Sequence, residues 1–280
     1  MREIEYDKIV ETVKNLAIES NSVLSEEMYR ALEDALEREK SPVGREVLKQ
    51  ILENDKIARN ELIPMCQDTG VAVMFVEVGE DVRIKGGHLK DALIEGVRKG
   101  YVEGYLRKSV VKDPLRRVNT GDNTPPVIHF DIVPGDKLKI MFAPKGGGGE
   151  NMSRAVIFPP SAGIEGVKKF IIDTVTDAGG NPCPPIIVGV GIGGDFEMSA
   201  ILAKKSLFRK VGQRHPDPFY AQLELELLEE INKIGIGPMG LGGMTTALDV
   251  HIEYYPCHIA SIPVAVNIQC HANRHRTAIL

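Results

Sequence analysis

The stretch PPVIHFDIVPGDKLKIMFAP, Pro125–Pro144, reads as two β-strands about a Pro-Gly-Asp turn. β-Branched and apolar residues dominate both arms, and the turn residues between them cannot extend a ladder. Upstream, VAVMFVEV (71–78) reads as a further strand, and LKDALIEGVRKGYVEGYL (89–106) carries helical spacing. Downstream, IEGVKKFIIDTVTDA predicts a helix ended by Gly179-Gly180. PPIIVGVGIGG predicts a buried strand running into a glycine turn, with the helix FEMSAILAKKSLF beyond it. PFYAQLELELLEEINKIG is helical, and TALDVHIEYYP and SIPVAVNIQC close the chain as strands.

The first sixty residues read as helices. Ile9, Val10, Val13, Leu16 and Ala17 recur at helical spacing, Ser25 stands as an N-cap before EEMYRALEDALERE, and Pro42 occupies a first-turn position. The charged residues of this region are expected on solvated helix faces. The fold class is therefore α+β, a helical N-terminal region packed with a mixed or antiparallel sheet unit. Residues 1–280 are expected as one domain, with a helical subregion 1–62 and an α+β region 63–280. No internal repeat, low-complexity segment or flexible linker is visible in the sequence.

With 280 residues, 43% hydrophobic and 26% charged, the composition suits a globular chain with a substantial core. A net charge of -5 and the lack of a basic stripe argue against a nucleic-acid partner. The charged opening MREIEYDKIVETVKNL has no signal-peptide core, and no apolar run reaches the roughly 18–20 residues of a membrane span. A cytoplasmic protein without a membrane partner is expected.

Four cysteines, Cys66, Cys183, Cys257 and Cys270, are too far apart for a CxxC site. In a reducing compartment they are packing residues, nucleophiles or metal ligands. Polar neighbours tilt the balance towards ligands: Gln67, Asp68 and Thr69 beside Cys66, Asn181 before Cys183, His258 after Cys257, and His271, Asn273 and Arg274 after Cys270. Thiolates suit zinc or an iron–sulfur cluster, and three of them leave one iron of a [4Fe–4S] cube open as a Lewis acid. A nucleophilic Cys66 with a distant histidine base is the alternative. His88, His129, His215 and His251 read as surface or satisfied residues. The glycine-rich segments 145–154, 189–197 and 235–246 read as walls of a shared pocket offering N–H groups to an anion. Their spacing does not support a dinucleotide fold.

Taken together, CQDTG, YLRKS, VNTGDNTPP, KGGGGENMSR, GVGIGGDFE, GPMGLGG and CHIASIPVAVNIQCHANR resemble the iron–sulfur-dependent hydro-lyases of the class I fumarase and tartrate dehydratase family, from about residue 63 to 274. The resemblance implies an α subunit, with a separate β subunit supplying the catalytic base and further carboxylate clamps, in a hetero-oligomer such as α2β2. It implies Cys66, Cys183 and Cys270 as ligands of a [4Fe–4S] cluster with one iron not ligated by protein, and leaves Cys257 as an extra thiol. It places Gln67, Asp68 and His258 at the substrate, Asp68 and His258 as the acid–base pair. Arg107 then grips a carboxylate of a small dicarboxylate substrate, and the Gly148 backbone contacts it. The expected reaction is reversible hydration of fumarate to (S)-malate. Dehydration of L-tartrate is the runner-up, and a non-catalytic zinc or iron–sulfur scaffold the alternative of another class.

Overall fold

A computed structural model describes residues 1–280 and resolves into two compact units. The α+β expectation holds: the chain combines helices with mixed sheets. No helix is long and apolar enough to cross a membrane.

The first unit comprises residues 1–25, 54–146 and 274–280. Its four-stranded sheet runs β10 (Arg276–Ile279), β5 (Leu138–Lys145), β2 (Val71–Gly79), β4 (Val127–Val133). The two strands about the Pro-Gly-Asp turn do not pair with each other. β2 lies between them, parallel to β4 and antiparallel to β5. Apolar side chains of β2 and β5, among them Met74, Val76, Ile140 and Phe142, meet Val10, Val13, Leu93 and Val97 of α1 (Tyr6–Ser22) and α4 (Leu89–Glu103). Excluding water from this interface is the main stabilising term, roughly 1.5–3 kcal/mol for each large aliphatic side chain. A short strand, β1 (Arg2–Glu5), precedes α1 and pairs with β3 (Val82–Lys85), an element the helical reading of the N-terminus omits.

The second unit comprises residues 26–53 and 147–273. Its sheet runs β6 (Arg154–Phe158), β9 (Ile262–Gln269), β7 (Ile186–Gly194), β8 (Ala247–Cys257). α6 (Gly163–Ala178) and α8 (Pro218–Lys233) cover one face through Val167, Ile171, Leu223 and Leu227 against Val188, Val250 and Val266. α7 (Phe196–Ser206) packs against β7 and β9. A Cβ on Gly189 would lie 2.2 Å from the Ala203 carbonyl oxygen, and one on Gly191 2.0 Å from that of Ser199. These glycines therefore admit a helix backbone onto the sheet, which corrects their reading as pocket wall.

The two sheets share one plan: a central strand, a later strand parallel to it, a third antiparallel on its other side, and an antiparallel edge strand beyond that. The sequence shows no repeat, yet the strand plan recurs.

Two acidic residues of the N-terminal helices are also not on solvated faces. Glu39 is buried between α2 (Glu26–Arg38) and α3 (Pro42–Glu61), where its carboxylate accepts the N–H of Ser41, Met244 and Thr245. Asp55 is buried with neither oxygen hydrogen-bonded, and desolvation pushes its carboxyl up to about 7 despite the charge of Arg59. Ser25 does precede α2 directly, but its hydroxyl makes no capping bond.

Candidate active site

In the first unit the loop between α3 and β2 carries Cys66, Gln67 and Asp68. The Asp68 N–H donates to Cys66 Sγ at 3.4 Å, and the thiol donates to Gln67 Oε1 at 3.4 Å. Asp68 turns the chain by accepting the Gly70 N–H on Oδ1 at 3.0 Å. Gly70 then enters β2 with φ of +71°, its Cα so close to the Lys145 backbone that a Cβ would lie 2.7 Å from it.

Other side chains fix this loop. The buried Tyr101 hydroxyl donates to the Thr69 carbonyl at 2.6 Å, and burial pushes its pKa upward, keeping it a donor. Asn123 donates to the Gly70 carbonyl at 3.1 Å while its Oδ1 accepts the N–H of Ser109 and Val110. The Thr69 hydroxyl donates to the Arg107 carbonyl at 3.1 Å. Arg274, itself buried, donates to the Asp68 carbonyl at 2.8 Å and to Asn21 Oδ1 at 3.0 Å. CQDTG, YLRKS and GDNTPP thus form one cluster. Arg107 presents an exposed guanidinium without an ion pair.

Next to Asn123, Asp122 pairs with Arg98 at 2.9 Å. Burial raises its carboxyl, but the Arg98 guanidinium and the Thr124 hydroxyl and N–H outweigh that and hold it down to about 2.

In the second unit β7 and β9 run antiparallel, with Ile187 opposite Gln269. The start of one strand therefore meets the end of the other, where Cys183 and Cys270 stand. The His271 N–H donates to the Cys183 carbonyl at 3.2 Å. Both thiols are half-buried and free of disulfides. Two glycine-rich segments meet the Cys183 segment as well. A Cβ on Gly148 would lie 3.1 Å from the Asn181 carbonyl oxygen, and Gly240 abuts Gly180 while Met239 N–H donates to the Pro184 carbonyl at 2.7 Å.

Cys257 and His258 lie elsewhere. Cys257 pairs with Gly194 at the far end of β7, eight residues from Ile186 and so about 26 Å away at the rise of a strand. His258 begins the exposed turn to β9, where its Nδ1 accepts the Ala260 N–H at 3.1 Å. The second unit thus unites Gly148, Cys183 and Cys270 and separates them from His258. Cys66, Gln67, Asp68 and Arg107 belong to the first unit.

Sequence reasoning missed Tyr101 and Asn123 as organisers, and named Thr69 and Arg274 only as polar neighbours. Buried hydroxyl and amide donors carry no periodic signal, although GDNTPP and HANR already marked two of the segments.

In the second unit two half-buried thiols that form no disulfide meet beside loops rich in backbone donors, a donor type that suits soft metals. The chain belongs to the family described as Fumarate hydratase (Fumerase), whose model matches residues 10–279, and it is a hydro-lyase. It is 46% identical over 273 residues to a Methanocaldococcus jannaschii protein provisionally named L(+)-tartrate dehydratase subunit alpha, covering 95% of each chain. It is also 36% identical over 278 residues to the L(+)-tartrate dehydratase subunit alpha of Escherichia coli O157:H7, covering 98% of this chain and 91% of the relative. The relative of the same name from E. coli K12 is 35% identical over 278 residues, with the same coverage.

Proposed function

We propose that this chain is the α subunit of an iron–sulfur hydro-lyase that dehydrates L(+)-tartrate together with a separate β subunit in the cytoplasm. The observation that carries the reading is the match, along nearly the full length of both chains, to relatives named as L(+)-tartrate dehydratase alpha subunits. It moves the preferred substrate from the fumarate and malate expected of the sequence to tartrate. Fumarate hydration stays as the second reading because the family description is that of fumarate hydratase.

The chemistry of these donors suits a [4Fe–4S] cluster: Cys66, Cys183 and Cys270 each carry a half-buried thiol that forms no disulfide. When bound, such a cluster supplies a Lewis-acidic iron that polarises the leaving hydroxyl. The Asp68 N–H donates to the Cys66 sulfur and holds it in place on the loop. Asp68, its backbone held by Arg274, delivers a proton to the departing hydroxyl, an acid role worth typically about 10²–10⁴-fold. Gln67, exposed beside it, donates to a substrate oxygen. Arg107 grips a carboxylate with its planar fork, and the Gly148 N–H fixes the other end. The base that takes the C–H proton is assigned to the β subunit. His258, a strand length from Cys183 and Cys270 within the second unit, is kept as the acid–base partner of Asp68 in this reading.

The test is anaerobic reconstitution of the chain and its β partner with iron and sulfide, followed by assays with L(+)-tartrate and with fumarate. Preferential turnover of tartrate supports the reading, and preferential hydration of fumarate establishes the second one. A colourless protein holding stoichiometric zinc sinks the cluster assignment.

A further inference from the structure

α5 (Gly147–Glu150) is a single turn with glycine at three of its four positions. Such a segment has almost no side chains with which to pack, and glycine loses the most freedom when ordered. Its rigidity must come from the residues at its end, and the structure shows where. Glu150 Oε1 accepts from Lys204 Nζ of α7 at 2.5 Å, and Glu150 Oε2 accepts from Asn267 Nδ2 of β9 at 3.0 Å. Ser153 completes the anchor: its hydroxyl donates to the Gly149 carbonyl at 3.1 Å and accepts the Ile268 N–H at 3.1 Å.

Glu150, Lys204 and Asn267 line a cavity of about 250 Å³, walled by Ala200, Ala203 and Ala265. Asn267 is only 6% exposed, so its amide is held rigidly. A carboxylate this close to a loop that faces an anionic substrate would repel it, and Lys204 neutralises that charge at hydrogen-bond distance.

We propose that Glu150, Lys204 and Asn267 are positioning residues that hold the Gly147–Gly149 backbone in the geometry needed to grip a substrate carboxylate. The proposal rests on the reading of Gly148 as a substrate contact. Positioned N–H groups bind ground and transition states alike, so their loss raises KM and leaves kcat.

The experiment measures steady-state kinetics and iron content in the iron-loaded complex with the β subunit. Glu150→Ala is expected to raise KM by about fivefold or more with kcat within about twofold and iron unchanged, and Glu150→Gln, which keeps the Asn267 bond, by less. Because Glu150→Ala removes two anchors at once and could unfold, the exchanged pair Glu150→Lys with Lys204→Glu is the second measure. It should recover KM relative to either single exchange. Wild-type KM in Glu150→Ala, or a double exchange no better than the singles, overturns the positioning role. Gly148→Ala separates the two readings. Raised KM there beside unaffected Glu150 variants sinks the positioning role alone, whereas unchanged KM removes the Gly148 contact and this proposal with it.

Discussion

The backbone N–H of His271 donates to the carbonyl of Cys183 at 3.2 Å, joining segments that carry cysteines 87 positions apart. The antiparallel register of β7 and β9 produces this meeting, and no spacing rule for metal sites would find it. Cys183→Ser and Cys270→Ser are therefore each expected to lose most of the iron and acid-labile sulfide that anaerobic reconstitution installs. Cys257→Ser should retain both in full, because that thiol is exposed at the other end of β7. Equal losses in all three would contradict the assignment.

Arg107 offers a fork that lysine cannot copy. Arg107→Lys is expected to raise KM about tenfold or more while kcat changes less, since a carboxylate clamp acts before and during reaction. Kinetics at two salt concentrations check this. A wild-type KM removes Arg107 from the substrate site.

Glu39→Ala strips an acceptor from three N–H groups at once. An unmatched buried donor costs about 1–3 kcal/mol, so three donors, two of them part-buried, put the expected loss in urea unfolding at the low end of the sum, roughly 3 kcal/mol. A midpoint within error of wild type would mean that water replaces the carboxylate.

Asp55 sits at about 7 in the fold, against 3.8 for the unperturbed group. A raised folded value means that the folded chain holds the proton more tightly. The resulting stability is complete below pH 4 and is lost as pH rises through 7. Three pH units at 1.36 kcal/mol each set an upper limit of about 4 kcal/mol. Asp55→Asn should flatten this slope and gain on wild type at pH 8 but not at pH 4, as read from urea unfolding at both values. Parallel profiles would argue against it.

Gly191→Val is expected to destabilise the second unit by about 3 kcal/mol or to prevent its folding, since even a Cβ meets the Ser199 carbonyl at 2.0 Å. Thermal unfolding of the purified variant decides it. A normal Tm would mean that α7 shifts freely.

The elements themselves were legible. Apolar periodicity gave the helices, and β-branched runs between turn residues gave the strands. Pairing was not legible, because nothing in PPVIHFDIVPGDKLKIMFAP announces that β2 separates its two arms. The glycines of GVGIGG misled for a related reason: a glycine opposite a helix looks in sequence like one opposite a ligand. Charge misled at Glu39 and Asp55, where the periodicity of α2 and α3 does not show what covers their ends. At the site, motif order named the cysteines, Asp68 and Arg107. Tyr101, Asn123 and Arg274 act through backbone carbonyls, which any sequence offers, so their partners emerged only from the fold.

The first unit is discontinuous: Arg274 and β10 reach it from the last residues described. On a ribosome, some two hundred codons separate Asp68 from the arginine that holds its carbonyl. At about 5–20 residues per second the loop waits roughly 10–40 seconds for that contact. Cys66 thus spends that interval on a loop that lacks one of its holds.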